Sequence, residues 1–218
     1  MGLFDIFRVP GLPSAPRGLT SYRVIDKATF LAALQPWDIG FTFGSGFMAL
    51  MENIIRVKEK EGDDLFTHAF GVYAPGADPE CYESNWPKVH RGFPASTYIG
   101  AHRHAVFARY KGLTDAQRGQ EKSAVDMAVA AQTPYGAVQI PAFGGELVGV
   151  KPSDWQGVTC IELVTDVLRG AVVPFITGTP SFVTTPTRGF TYVKSPQGIE
   201  DGWEIVAESI GEMYYLPL

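Results

Sequence analysis

The apolar residues of this chain recur in short bursts, and the spacing inside each burst predicts the element it forms. Asp26 to Leu34 (DKATFLAAL) reads as a short helix capped by Asp26 and stopped by Pro36. Asp38 to Phe43 (DIGFTF) alternates with the period of a strand and ends at Gly44-Ser45-Gly46. Phe47, Leu50, Met51, Ile54 and Ile55 then return at helical spacing through Lys60, with Gly62 as the stop. Leu65 to Tyr73 and Glu80 to Asn85 predict two strands around a Pro75-Gly76 turn, and Ala105 to Tyr110 predicts a third. The clearest helix start is at Thr114, whose hydroxyl and the Gln117 side chain form a capping pattern ahead of a run to Gln132. Ala124, Val125, Ala128 and Ala131 line one side of that run.

Residues 133 to 157 are rich in Gly, Pro and Ala and predict a long structured loop, of the kind that often carries function. Thr159 to Arg169 reads as a helix closed by Gly170, and Val172 to Leu218 as short strands separated by Pro and Gly. The mixture predicts an α+β fold. Residues 1–20 are an N-terminal extension, 21–175 the main domain, and 176–218 a turn-rich β portion packed on the same domain.

Composition narrows the function classes. With 45% hydrophobic and 19% charged among 218 residues, the chain is far from the signature of disorder. A net charge of -5 leaves no basic surface for phosphate neutralisation, so nucleic acid is not expected as a partner. No apolar run reaches the roughly 18 residues of a membrane span, so no integral membrane segment is expected. The start MGLFDIFR carries Asp5 and runs into a Pro- and Gly-rich stretch, unlike a signal peptide, and Ile6 stands where a myristoylation site wants Ser or Thr. Cys81 and Cys160 are too few for a disulfide scaffold, which turns attention to each thiol.

Thr159 and Glu162 form the pattern T-x-x-E, which puts Cys160 at the first helical position. There the unpaired N–H groups and the helix dipole favour a thiolate, and the same N–H groups can hold an oxyanion. The alternative is a small buried apolar residue. A nucleophilic thiol needs a base, and His68 lies inside an apolar strand between Phe66 and Phe70, where imidazole packs no better than Leu. The competing reading is a satisfied core histidine. His90, His102 and His104 lie in polar, loop-like surroundings and read as surface residues; no further ligand near His102 and His104 supports a metal site, and no cofactor is implied. Glu83 is the candidate orienter. If Pro75-Gly76 is a two-residue hairpin turn, Ala74 opposes Ala77, Tyr73 opposes Asp78, and His68 opposes Glu83. Pro-Gly is a poor primed turn and Pro79 interrupts the ladder, so a longer loop with a bulge competes.

The order His68, Glu83, Cys160, with DIGFTF before it and CIELV at the helix, resembles the circularly permuted branch of the NlpC-type papain-like superfamily, the YiiX/YebB-like hydrolases. These are distantly related to the lecithin:retinol acyltransferases. That branch opens with a strand beginning Gly-Asp-Ile, matched here by Trp37-Asp38-Ile39, and carries its base in a motif like Ser-His-X-Gly-Ile-Val, matched by Thr67-His68-Ala69-Phe70-Gly71-Val72. Its Glu-Ser-X-X-X-Val strand is matched by Glu83-Ser84-Asn85-Trp86-Pro87-Lys88-Val89, with one extra residue before the Val. Its Tyr-X-Cys-Ser-Glu-Leu-Val helix is matched by Val158-Thr159-Cys160-Ile161-Glu162-Leu163-Val164. The likeness covers roughly residues 35 to 175; Trp37 in place of Gly and Ile161 in place of Ser depart from it without removing a reacting group.

The resemblance implies a permuted papain-like fold, with an antiparallel sheet packed against the nucleophile helix. It also implies a hydrolase in which Cys160 is the nucleophile, His68 the general base and acid, and Glu83 the group that orients His68. Its substrates would be a peptidoglycan peptide amide or an acyl ester. With no signal segment evident, the expected location is the cytoplasm or a phage particle, where other virion proteins become partners. The alternative is a virion structural or interaction protein that keeps the fold with an idle triad and docks through its C-terminal residues. An acyltransferase using the same thioester chemistry is a third reading.

Overall fold

The computed structural model describes residues 12–43, 66–85, 87–135, 159–176 and 185–218. The helix expected at 47–60 and most of the loop expected at 133–157 lie outside the described residues. Among those described, the chain is a mixed α+β fold built on one antiparallel sheet. Its strands are β1 (Tyr22–Ile25), β2 (Ile39–Thr42), β3 (His68–Ala74), β4 (Glu80–Asn85), β5 (Lys88–Pro94), β6 (His104–Tyr110), β7 (Trp203–Ile210) and β8 (Met213–Pro217). Their order across the sheet is β1-β8-β7-β6-β2-β3-β4-β5. The helices are α1 (Lys27–Ala33), α2 (Asp115–Ala130), α3 (Cys160–Gly170), α4 (Pro186–Lys194) and α5 (Pro196–Glu200), with a 3-10 turn at Ala95–Tyr98.

Both faces of the sheet are covered, which is why β2 is buried at every position. Ile39 and Phe41 face Ile161, Val164 and Leu168 of α3 and Phe190 of α4. On the other face Phe70, Val72 and Phe107 meet Phe30 and Leu31 of α1. Helix α2 lies outside α3, its Val125 among Leu163, Val167, Tyr73 and Tyr82. Two aromatic rings lie flat across glycines of the neighbouring strand. Gly40 opposes Phe70, and a Cβ there would come within 2.2 Å of its ring; at Gly71 a Cβ would come within 2.1 Å of Tyr82. Asp38, fully buried at the head of β2, is held by Arg109 of β6 at 2.7 and 2.8 Å and by the Gln35 amide at 2.8 Å.

The C-terminal part corrects the expectation of a turn-rich β portion at 176–218. Thr185 and Ser195 each cap a short helix that has Pro at its start, and β7 and β8 then join the main sheet. A Pro at the first helical position gives up an N–H that has no partner anyway, so Thr-Pro and Ser-Pro here start helices. The N-terminal extension is likewise anchored from residue 17 onward. The amides of Arg17 and Gly18 donate to Glu208, each at 2.8 Å, and Leu19 is buried against Ile210 and Tyr215.

Glu121 of α2 breaks the polar bookkeeping of the interior. Its side chain is fully buried, and neither carboxylate oxygen has a hydrogen-bond partner among the described residues. Burial pushes its pKa up from 4.5 to about 8, opposed only in part by Arg118. A raised carboxyl binds its proton more tightly when folded, so its contribution to stability is greatest below pH 4.5 and fades as pH rises towards about 8. Glu121→Met is therefore expected to stabilise the fold by about 1–3 kcal/mol at pH 8 and by less at pH 5, measured by urea unfolding. A destabilised variant at pH 8 would mean that the carboxyl serves the fold in a way its surroundings do not indicate.

Candidate active site

Helix α3 begins where the sequence predicts. Thr159 accepts from the Glu162 amide at 3.3 Å, and the Glu162 carboxylate accepts from the Thr159 amide at 3.1 Å, a complete capping box. Cys160 is thus the first residue of the helix, its own amide among the first-turn N–H groups that no helical carbonyl reaches. The helix is anchored by Ile161, Val164 and Leu168 against the sheet and by Leu163 and Val167 towards α2. Both Cys81 and Cys160 are free thiols. Cys81 is buried in the α1-side core, where burial drives its pKa far up, so it stays a neutral thiol.

His68 opens β3, and the Cys160 side chain is within hydrogen-bond reach of it. Its Nε2 is bonded to Oε2 of Glu83 on β4, which leaves Nδ1 as the nitrogen free for the thiol. Burial opposes the imidazolium, but the charge and hydrogen bond of Cys160, and then those of Glu83, outweigh it and push the His68 pKa from 6.5 to about 10. Glu83 shows the same competition in reverse. Burial disfavours its charge, yet the His68 hydrogen bond and charge, the Tyr98 hydrogen bond and the nearby His90 hold the carboxyl below its ordinary range. The imidazolium of His68 and the carboxylate of Glu83 therefore stabilise each other. The His68 side chain keeps 15% of its surface exposed, whereas Glu83 keeps 4%, so a substrate approaching from solvent meets the imidazole and not the carboxylate.

The strand register differs from the two-residue hairpin. Gly71 pairs with Tyr82 and Val72 with Cys81, a shift follows before Ala74 and Glu80, and the connection spans residues 75–79. Continuing this register one step places Glu83 opposite Phe70, diagonal to His68. The slip from the hairpin register is two residues, so side-chain parity is preserved and Glu83 still shares the face of His68. The longer, bulged loop wins because Pro79 cannot donate to the ladder.

Three residues complete the surroundings of Glu83 and were not legible as site residues. The Tyr98 hydroxyl donates to the same Oε2 that binds His68. His90, on β5 directly opposite Glu83, brings Nε2 to 3.0 Å from Oε1, and Asn85 donates to that oxygen at 3.3 Å. The fold corrects the loop reading of His90 and the surface reading of His104. His90 is a strand residue, its side chain 41% exposed but turned onto the carboxylate. His104 is buried at the start of β6, with Nε2 at 2.7 Å from Glu208. His102 is exposed as expected. Both misreadings arise because β5 and the entry to β6 carry polar residues that their cross-strand partners satisfy.

No family model matches the chain, and no curated protein matches it at a significant level. The candidate site therefore rests on its own residues and geometry.

A raised histidine contributes stability that is full below pH 6.5 and is lost as pH rises towards about 10. Glu83→Gln keeps the side-chain shape but removes the charge. It is expected to bring the His68 titration down from about 10 towards its ordinary range, and to cost about 2 kcal/mol of stability at pH 7. Nitrogen-15 NMR titration of the imidazole and urea unfolding read the two effects. An unmoved His68 titration in a folded variant would show that Glu83 does not hold the cation.

Proposed function

We propose that the chain is a cysteine hydrolase of the circularly permuted NlpC-type papain-like class, cleaving an amide of a peptidoglycan peptide or an acyl ester. The observation that carries this reading is the convergence of Cys160, His68 and Glu83 from three separate elements, with the thiol on the first turn of a buried helix. A residue outside the triad adds support. Trp37, which stands where the resembled family has Gly, holds φ at 76°, the left-handed region that glycine adopts most readily. The indole accepts that conformation while packed against Tyr73 and Tyr82.

In this reading His68 takes the Cys160 proton, and the thiolate sulfur adds to the substrate carbonyl carbon. The carbonyl electron pair moves to oxygen, where the Cys160 amide at the helix start receives the negative charge. As the tetrahedral intermediate collapses, His68 gives the proton to the departing amine or alcohol, leaving a thioester on Cys160. His68 then takes a proton from water, whose oxygen adds to the thioester carbon; the C–S bond breaks, His68 returns the proton to the sulfur, and the acid product leaves with the enzyme restored. Glu83 keeps the imidazole oriented and its cation stable throughout.

The reading is tested by incubating the full chain and Cys160→Ala with purified muropeptides and, separately, with a fatty-acyl ester, following products by mass spectrometry. The wild type is expected to turn over one substrate class and Cys160→Ala to lose about three orders of magnitude or more of the rate. No turnover and no acyl adduct on Cys160 with either class would overturn the hydrolase reading and favour an idle scaffold.

A further inference from the structure

Among the described residues, Tyr98 is the one buried donor to Glu83 that lies outside the four matched motifs. It ends the 3-10 turn that follows β5, and it is 8% exposed. Its ring is held on several sides. Phe70 stacks on it at 4.4 Å, His68 lies at 5.2 Å, Phe93 meets it edge-on at 5.7 Å, and the Arg103 guanidinium sits 5.4 Å from its centroid. The hydroxyl is thereby fixed on Oε2 of Glu83, the oxygen that also binds Nε2 of His68. Burial and then the charge of Glu83 drive the phenol pKa far up, so Tyr98 donates its proton without surrendering it.

Two donors on one carboxylate oxygen share its negative charge, and each weakens the pull on the other. We infer that Tyr98 is a positioning residue that limits how tightly Glu83 holds His68 as a cation, and so sets the pH range in which His68 can both keep and release a proton. The inference rests on the proposed hydrolase chemistry, in which His68 must do both. The other titratable or charged groups around this pair are Cys160 from α3, His90 from β5, Arg103 from the turn before β6, and Cys81 on the face of β4 shared with Glu83. Among the described contacts, only His68 and Tyr98 hydrogen-bond to Oε2 of Glu83.

Tyr98→Phe removes the hydroxyl and leaves the stacked ring. In the full chain, the His68 imidazole titration followed by nitrogen-15 NMR is expected to move up by about half a pH unit, the effect of one hydrogen bond redistributed. The Nε2 proton resonance should move downfield as the Glu83 bond strengthens. Should Tyr98→Phe fail to fold, site-specific 3-fluorotyrosine at position 98 makes a stronger donor and is expected to move the titration down. A folded Tyr98→Phe with an unmoved or lowered titration, or a fluorotyrosine protein with an unmoved or raised one, overturns the inference. Wild-type Cys160 alkylation is measured in parallel: if it is indifferent to His68→Ala, the hydrolase reading fails, whereas the titration reports separately on Tyr98.

Discussion

A carboxylate buried in a protein interior stays charged only if donors meet its oxygens, and Glu83 is where this chain satisfies that condition in the way its site requires. His68 from β3, Tyr98 from the 3-10 turn, His90 from β5 and Asn85 from β4 itself all converge on its two oxygens. Each of those donors has its place because the antiparallel register of β3, β4 and β5 is fixed, so the charge at the site and the order of the sheet edge are one constraint. Asp38 with Arg109, and Glu208 with His104 and two backbone amides, are buried carboxyl groups likewise met by donors. Glu121 is a buried carboxyl without donors among the described residues, and burial raises its proton affinity.

The sheet makes this arrangement stiff. Phe70 lies across Gly40 and beneath Tyr98, so the ring that closes a gap in the sheet also supports the donor to Glu83. Tyr82 lies across Gly71 and reaches the α2–α3 side, tying the strand that carries Glu83 to the helix that carries Cys160. Interior packing of this density resists small displacements, which keeps hydrogen-bond geometry at the site from drifting. The thiol, imidazole and carboxylate thus sit on three elements whose contacts with one another are made by apolar side chains away from the chemistry.

Local signals in the sequence were read correctly because their physics is local. Asp26, Thr114 and Thr159 each cap a helix through a bond to an amide three residues on, and no tertiary information is needed to see it. The pairing of His68 with Glu83 was legible as a face but not as a register, since loop length sets the register and parity sets the face. Tyr98, His90 and His104 were not legible, because each is defined by a partner 7 to 104 positions away in the chain. Thr185-Pro186 and Ser195-Pro196 carry a helix-start signal that resembles punctuation between strands, because Pro both ends elements and, after a capping hydroxyl, opens a helix.

The central claim is that Cys160 and His68 act together as a nucleophile and its base, and the pH dependence of Cys160 alkylation by iodoacetamide tests it most directly. Rates are followed by mass spectrometry from pH 5 to 10 in the wild type and in His68→Ala. The account predicts that the wild type retains appreciable reactivity at pH 6, and that the variant reacts as an ordinary thiol, whose rate climbs only towards about pH 8.5. A wild-type profile that already follows the ordinary thiol, or one unchanged by loss of His68, would contradict it.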